Sequence, residues 1–274
     1  MQDSGTRKEL NFMTEVNKTL YIPLYGKALC SRKGIILNDK KAEEIWGKAG
    51  FPLKGKSRSK WLAYYMGMRA AVFDGWVSEK CAREGKALVI HVGCGLDSRA
   101  ERVGAANAWY DVDFPDVIEE RKKYFAESES YKMLGADVRG EEWLSALPAA
   151  ESAVVIMEGV SMYFSPEDLR ALLSRLACRF EKIALLMDCY TVFAAKASKY
   201  KNPINDVGVT SVYGIDSGDD AAEGTGLRFI CEREMTPTEK KAELRGAEKF
   251  IFSHVYGGSL AKKMYRLYEY EKVR

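Results

Sequence analysis

Residues 86–113 contain the stretch that decides the fold, Lys86-Ala-Leu-Val-Ile-His-Val-Gly-Cys-Gly-Leu-Asp-Ser-Arg99, followed soon after by Ala108-Trp-Tyr-Asp-Val-Asp113. A short apolar run rich in β-branched residues is typical of a buried strand, and here it leads directly into Gly93 and Gly95. The second strand candidate ends on the acid Asp113. Glycines let the backbone turn tightly beside a ligand, and an acid at the second strand's tip accepts hydrogen bonds from ribose hydroxyls. The stretch therefore predicts a nucleotide-type site, with a plain turn and a solvated acid as the alternative.

The glycine pattern also restricts the ligand. Ser98 stands where the dinucleotide pattern G-x-G-x-x-G has its third glycine, which lets the helix pack closely behind a pyrophosphate. We therefore expect a nucleoside ligand without a pyrophosphate, with S-adenosylmethionine as the first candidate.

The rest of the chain alternates strand and helix patterns. Further apolar strands are predicted at 131–137, 153–158 and 183–188, with helices at 115–128, 141–147 and 165–180. This order predicts an α/β fold with a mostly parallel, doubly wound sheet and helices on both faces. Acids fall at or just past the strand ends, where ligands bind in such sheets; they are Asp97, Asp113, Asp137, Glu158 and Asp188.

The two ends of the chain have different patterns. Residues 1–85 are mostly helical, including helices predicted from Asn38 and over 60–81, and they form a helical N-terminal cap before a core at 86–274. Within the core, 190–226 is predicted to be a lid-like insert because Gly, Asp, Asn and Ser are frequent there. Strands at 228–232 and 263–270, separated by a helical piece at 238–250, would end the sheet with an antiparallel pair.

Composition excludes several classes of protein. The 274 residues are 47% hydrophobic and 30% charged, with a net charge of +3. We expect no membrane partner, because no apolar run approaches the ~20 residues that cross a bilayer. The pattern also lacks the basic and aromatic interleaving of a nucleic-acid surface. Six scattered cysteines without a C-x-x-C pair indicate free thiols in a reducing compartment, so we expect a cytoplasmic protein. No cluster has metal-ligand spacing.

A set of motifs resembles a known family. Gly93-x-Gly95-x-Asp97-x-Arg99, Val112-Asp-Phe-Pro115, Gly135-Ala-Asp-Val-Arg139 and Glu158-Gly-Val-Ser-Met-Tyr163 occur in this order. Together with Thr19-Leu-Tyr-Ile-Pro-Leu-Tyr25 and the pair Arg69…Asp74, they resemble the leucine carboxyl methyltransferase family, best its bacterial branch of polyketide-synthesis O-methyltransferases. The resemblance covers roughly residues 15–190 well and the last third loosely.

The resemblance implies a class I methyltransferase with a Rossmann-like, seven-stranded sheet that binds S-adenosylmethionine and releases S-adenosylhomocysteine. Arg69 would pair with the methionine carboxylate, and Gly93 and Gly95 would pass under the methionyl-ribose portion. Asp113, followed by Phe114, would hold the ribose hydroxyls. Asp137 and Val138 would meet the adenine, and Glu158 with Gly159 would lie near the methionyl amine. His91 stands where many such enzymes carry an acid, a role that would pass to Asp97 or Glu158.

The acceptor side is less defined. A carboxylate nucleophile needs no base, whereas a phenol with a pKa near ~10 benefits from one. His254 is the weak candidate for a base, and by the resemblance Tyr21, Tyr25 and Tyr163 would border the pocket. The leading hypothesis is O-methylation of a carboxylate or hydroxyl of a small molecule, polyketide-like or another secondary metabolite. Alternatives are a carboxyl methyltransferase acting on a protein or peptide, a nicotinamide-dependent oxidoreductase, and a non-catalytic binding module. The sequence leaves the acceptor and the oligomeric state open.

Overall fold

The computed structural model describes residues 17–48, 53, 55–198 and 212–272. Its centre is one seven-stranded sheet in the order β3-β2-β1-β4-β5-β7-β6. The pairs along β3-β2-β1-β4-β5 are parallel, and β7 runs antiparallel to both β5 and β6. The predicted mostly parallel sheet with an antiparallel end is confirmed. The strands are β1 Leu88–Val92, β2 Trp109–Asp113, β3 Tyr131–Gly135, β4 Ser152–Met157, β5 Lys182–Tyr190, β6 Arg228–Glu232 and β7 Tyr265–Lys272.

The central strands are buried because their residues are apolar on both faces. All five residues of β1 are buried, as are Ala153 to Met157 of β4. Parallel strands covered by helices on both sides have this continuous apolar pattern, whereas the partly exposed β6 alternates. With both faces of the sheet covered, a ligand is expected to bind in the loops at the carboxyl ends of the strands.

Helices precede the sheet and cover it. The start of the helix Pro166–Arg179, α7, is fixed as the sequence predicts, because the Ser165 hydroxyl accepts a hydrogen bond of 3.0 Å from the Asp168 backbone N–H. The α-helices are α1 Tyr21–Lys33, α2 Lys40–Lys48, α3 Lys60–Arg83, α4 Arg99–Val103, α5 Pro115–Arg121, α6 Glu142–Ser145, α7 Pro166–Arg179, α8 Val192–Ala197, α9 Gly218–Ala222, α10 Thr238–Ala242, α11 Gly246–Ile251 and α12 Ser259–Met264. Short 3-10 turns occupy Asn17–Leu20, Gly55–Arg58 and Ser161–Tyr163, and a π-helical turn spans Phe252–Tyr256.

The N-terminal helices pack onto one face of the sheet. Tyr64 and Phe73 of α3 belong to the same buried apolar cluster as Val89 of β1 and Ile156 of β4. The Tyr64 hydroxyl also donates a hydrogen bond of 2.7 Å to Glu248 of α11, which ties the C-terminal segment to α3. The helical character of residues before β1 agrees with the predicted cap; the division into a cap and a core remains a prediction.

Two predicted helices are shorter than expected. The helix predicted over 115–128 ends at Arg121 because the chain turns there and brings Phe125 under the Arg121 guanidinium, 4.0 Å from the ring centroid. The piece predicted over 238–250 is split into α10 and α11. Gly246 begins the second helix with φ +51°, and Glu243 in the break accepts a hydrogen bond from the Ile36 backbone N–H.

The predicted lid-like insert at 190–226 falls partly outside the described residues, because 199–211 are not described. The described parts form α8 and α9, and Gly214 makes a single parallel bridge to Tyr190 of β5. All six cysteines are free thiols. Four are buried, as the sequence predicts for free buried thiols, whereas Cys178 is exposed and Cys231 is partly exposed.

Candidate active site

A cavity of about 680 Å³ opens where the carboxyl ends of β1, β2 and β4 meet the N-terminal helices. A volume of this size is typical of sites for small molecules and cofactors. One end, the polar end, is lined by residues at or just after the strand ends, including Gly93 and Gly95 of the glycine turn and the acids Asp113 and Glu158. The other end is largely apolar and is formed by α3, by Met162 and Tyr190, and by residues from Val255 onward.

The turn after β1 requires its glycine. Gly93 has φ +68°, in the left-handed region, and an added Cβ would lie 2.8 Å from Cγ2 of Val160. Gly95 follows and lines the same cavity, and its backbone N–H donates a hydrogen bond of 2.8 Å to Oδ2 of Asp113. The first glycine is thus needed both for the turn and for close packing against the loop after β4.

Asp113 is held in place by the backbone. Its Oδ1 accepts a second hydrogen bond, of 2.8 Å, from the N–H of Phe114, so each carboxylate oxygen has one backbone donor. Burial raises the pKa of Asp113 to about 6, although both N–H groups and Arg121 favour the ionised form. The carboxylate lies at the cavity with capacity to accept further hydrogen bonds.

Arg69 and two acids form the second polar group. Arg69 of α3 donates from Nε to Glu158 at 3.0 Å and from Nη1 to Asp188 at 2.8 Å. Burial opposes ionisation, yet Arg99 and Arg69 lower the pKa of Glu158 to about 2. Burial raises the pKa of Asp188 despite Arg69. Gly159 has φ +71°, and a Cβ there would lie 3.2 Å from Nη2 of Arg69, so the loop after β4 passes close to the guanidinium.

Asp97 connects the glycine turn to the N-terminal helices. Its Oδ1 lies 2.7 Å from Nη1 of Arg102, and its Oδ2 lies 3.1 Å from Nζ of Lys27 and 3.3 Å from Nη2 of Arg99. Burial works against the charge, but these cations hold the pKa of Asp97 well below its usual range. Asp74 of α3 pairs with Arg99 and Arg102, at 2.7 Å and 2.8 Å. Arg69 and Asp74 therefore do not pair with each other.

Ser98, which replaces the third glycine, has a structural partner. Its hydroxyl donates a hydrogen bond of 2.6 Å to Oδ1 of Asp39, and Nη1 of Arg102 donates one of 2.9 Å to that hydroxyl. Asp39 also accepts a bond of 2.8 Å from the Ala42 N–H, which caps α2. The serine thus joins the start of α4 to the start of α2.

Known proteins were compared with the chain. The family model for leucine carboxyl methyltransferase matches residues 14–177, more than half of the chain. A tetracenomycin polyketide synthesis O-methyltransferase from Streptomyces glaucescens is 30% identical over 243 residues, covering 87% of this chain and 90% of that protein. The chain belongs to the leucine carboxyl methyltransferase family. The resemblance drawn from the motifs is confirmed, and the oxidoreductase and the non-catalytic module are not favoured.

Further relatives agree with this assignment. An S-adenosyl-L-methionine-dependent methyltransferase from Gibberella zeae is 26% identical over 186 residues, covering 61% of this chain and 62% of that protein. The crystal structure of a candidate methyltransferase from Thermobifida fusca matches 91% of this chain and 94% of its own, with a TM-score of 0.55 and 11% identity. The family member described here is an S-adenosylmethionine-dependent methyltransferase with the class I fold.

The residues of the cavity fit this cofactor. A side chain at Gly93 would fill the turn, Asp113 offers a carboxylate held by two N–H groups, and Arg69 brings a buried cation to the same end. Asp113 suits ribose hydroxyls, and Arg69 suits a carboxylate because of its planar fork. S-adenosylmethionine supplies an electrophilic methyl group on a sulfonium. These individual roles remain predictions.

Not every predicted cofactor residue lines the cavity. Asp137 is exposed and pairs with Arg139, whose Nε lies 2.9 Å from Oδ1. Val138 is buried in the apolar cluster that holds Trp143 and Leu144. Neither is among the residues lining the cavity, so their adenine role stays a prediction.

His91 of β1 is one of the residues that line the cavity. Its Nδ1 lies 3.4 Å from Oδ1 of Asp111 and its Nε2 lies 3.4 Å from Nη1 of Arg99. Burial lowers the pKa of His91 in spite of Asp111, so the imidazole is neutral near pH 7. A neutral imidazole beside Arg99 does not reproduce the acid that many such enzymes carry at this position. Arg99 also contacts Asp97 and Glu158, and the transfer of that role to one of these acids remains a prediction.

Of the weak acceptor candidates, only Tyr163 lines the cavity, and its hydroxyl donates to Thr19 at 3.2 Å. Tyr21 is buried elsewhere, and the ring of Tyr25 packs on Trp46 with centroids 5.0 Å apart. His254 is exposed, and its Nδ1 lies 2.8 Å from the Phe250 carbonyl oxygen.

Sequence reasoning missed most of the apolar end, which includes Trp61, Tyr65, Tyr190, Tyr256 and Tyr265. Trp61 stacks on Tyr256 with centroids 5.3 Å apart, and Tyr265 meets Tyr190 edge-on at 4.5 Å. These aromatic residues come from α3, β5 and the C-terminal segment. No local motif marks them; only the sheet topology brings them together.

No metal site is found in the described ranges 17–48, 53, 55–198 and 212–272. Within them, no group of His, Cys, Asp and Glu side chains could hold a metal ion. None of the helices in the same ranges is both long and apolar enough to span a membrane.

Proposed function

We propose that this methyltransferase transfers the methyl group to an oxygen of a small, largely apolar and aromatic acceptor, and that the oxygen is a carboxylate oxygen. The single observation that carries the proposal is the set of side chains that line the apolar end of the cavity, where the acceptor would bind. Trp61, Tyr65, Tyr190 and Tyr265 face this end, together with Met162 and Met264. Such surfaces bind flat aromatic molecules by burial and ring contacts.

The choice of a carboxylate follows because, among the described residues, the apolar end of the cavity has no histidine or carboxylate that could act as a base. His91 is the cavity's histidine among the described residues, and it is buried within β1 at the polar end. Burial raises the pKa of Tyr65, Tyr163 and Tyr265, so these phenols are poor proton acceptors at neutral pH. A carboxylate is already ionised and needs no such group, whereas a phenol must lose a proton.

The protein's contribution to the reaction is then alignment and exclusion of water. The charged residues around Arg69 hold one end of the cavity, and the aromatic residues enclose the other. Holding two reactants at near-attack distance in a water-excluded site supplies much of the rate enhancement of a displacement reaction. A phenolic oxygen and the terminal carboxylate of a peptide are the alternative acceptors.

The test is transfer of a radiolabelled methyl group to 2-naphthoate, anthracene-2-carboxylate, 2-naphthol and a peptide ending in leucine. Alkaline hydrolysis releases labelled methanol from a methyl ester and not from an aryl ether. We expect labelled aromatic product that releases methanol. Label on 2-naphthol alone, or on the peptide alone, would replace the carboxylate proposal with the corresponding alternative.

A further inference from the structure

Tyr65 differs from the other tyrosines of the cavity. Its side chain is 7% exposed, and its hydroxyl is buried without a hydrogen-bond partner in the described parts of the chain. By contrast, the Tyr163 hydroxyl donates to Thr19, and those of Tyr190 and Tyr265 interact with each other. The remaining cavity tyrosine, Tyr256, is 38% exposed. Of the tyrosines at the apolar end of the cavity, Tyr65 is therefore the one whose buried hydroxyl has no hydrogen-bond partner in the described residues.

The position of Tyr65 is at the junction of the two ends of the cavity. It lies one helical turn before Arg69 on α3, so both side chains project from the same face of the helix. Arg69, Asp188 and Tyr190 are its charged or titratable neighbours, and its ring centroid is 5.7 Å from that of Tyr265. A hydroxyl here borders both the charged cofactor end and the aromatic acceptor end.

An unsatisfied buried hydroxyl is costly. Leaving such a group without a partner costs about 1–3 kcal/mol, and native proteins satisfy the great majority of these groups. The cost is recovered if a bound molecule brings an oxygen to this position. Because burial raises the pKa of Tyr65, the group is a neutral donor throughout the working range of pH.

We propose that the Tyr65 hydroxyl donates a hydrogen bond to an oxygen of the acceptor and so positions the acceptor's carboxylate beside the cofactor end of the cavity. This inference rests on the proposed function, because it takes the apolar end to be the acceptor site. The Tyr65 hydroxyl removes no proton from the acceptor. Its contribution is to the affinity and orientation of the acceptor, and it makes no contribution to cofactor binding.

The test compares two ligands of nearly equal shape, 2-naphthoate and 2-isopropylnaphthalene, in which methyl groups replace the carboxylate oxygens. Dissociation constants are measured with S-adenosylhomocysteine present, for the wild type, Tyr65→Phe and Tyr270→Phe. Tyr270 is the matched control because its hydroxyl is also buried, has no hydrogen-bond partner in the described part of the chain, and lies outside the cavity lining. We expect Tyr65→Phe to bind 2-naphthoate about 10-fold more weakly, which corresponds to one lost hydrogen bond.

The other measurements separate a hydrogen bond from packing. Binding of 2-isopropylnaphthalene and of S-adenosylhomocysteine should be unchanged in Tyr65→Phe, and Tyr270→Phe should match the wild type for all ligands. Equal weakening of both naphthalene ligands, unchanged 2-naphthoate binding, or no binding of either ligand to the wild type would each overturn the inference. The proposed function fails separately if wild-type protein binds 2-naphthoate through Tyr65 yet methylates no carboxylate.

Discussion

Replacing Asp113 with Asn should weaken binding of S-adenosylhomocysteine by about 100-fold. In the wild type, one carboxylate oxygen accepts from the Gly95 N–H and the other from the Phe114 N–H, each at 2.8 Å. The asparagine amide has only one acceptor oxygen, so its NH₂ group would face one of these donors. The variant also removes the charge that strengthens hydrogen bonds from a ribose. A hydrogen bond to a charged group contributes about 1.5–3 kcal/mol, and 3 kcal/mol is about two decades in Kd.

The pH dependence provides a second, independent readout. The pKa of about 6 for Asp113 means that the free protein takes up a proton at this site as the pH falls through 6. Ribose hydroxyls donate best to the ionised form, so affinity should be constant above pH 7 and fall toward tenfold per pH unit below 6. Stability changes in the opposite direction. Because the folded pKa is above the unfolded value of 3.8, this site stabilises the unliganded protein most below pH 3.8, and that contribution is lost as the pH rises through 6.

Isothermal titration calorimetry from pH 5 to 8 measures both effects. Asp168→Asn is the matched control, because Asp168 is an exposed acid near the start of α7 and does not line the cavity. It should leave the affinity and the pH profile unchanged, whereas Asp113→Asn should flatten the profile. Binding within threefold of wild type in Asp113→Asn, or an unaltered dependence on pH, would refute the assignment of Asp113 to the ribose.

Three further variants test the surrounding structure. Gly93→Ala places a Cβ 2.8 Å from Val160 at φ +68° and should reduce S-adenosylhomocysteine affinity more than 100-fold by calorimetry; near wild-type binding would show that the turn adapts. Ser165→Ala removes the cap of α7 and should lower the free energy of unfolding in urea by about 1 kcal/mol without affecting binding. Arg102→Met leaves buried acids underpaired and should destabilise the fold by about 3–5 kcal/mol; unchanged stability would contradict the network described above.

The sheet and the glycine turn beside Asp113 could be predicted from the sequence because their signals are local. The run from Lys86 to Asp113 contains a strand, a tight turn and an acid within one short stretch. Once the strand order is known, strand ends that are distant in sequence meet at one edge, as Gly95 and Glu158 do at the cavity. The predicted helix ends were less accurate than the predicted strands. For example, α5 ends at Arg121, whose guanidinium contacts the carbonyl oxygens of Gly95 and Asp97 and the ring of Phe125, and only the folded chain provides these contacts.

The partners of the predicted charges could not be read from the sequence. Arg69 and Asp74 stand five residues apart on one helix, but each pairs with residues far away in the chain, such as Glu158 and Arg99. Lys27, which contacts Asp97, had no motif to mark it. Ion pairs of this kind depend on how α1, α3 and α4 pack together, and periodicity predicts only that these helices have buried faces.

The ionisable residues at and behind the polar end of the cavity form one connected network of ion pairs. Within the described residues, both the positive and the negative side chains come from several different elements of the fold, so the network forms only in the folded protein. It contains four cations and five carboxylates; the cations are Lys27, Arg69, Arg99 and Arg102, and the acids are Asp39, Asp74, Asp97, Glu158 and Asp188. Buried charges are tolerated when they are paired, and this set has one acid more than it has cations. The ammonium and carboxylate of a methionyl group cancel each other, so the sulfonium gives S-adenosylmethionine a single net positive charge. Binding of this cofactor would therefore balance the excess acid, with its ammonium predicted beside Glu158 or Asp97.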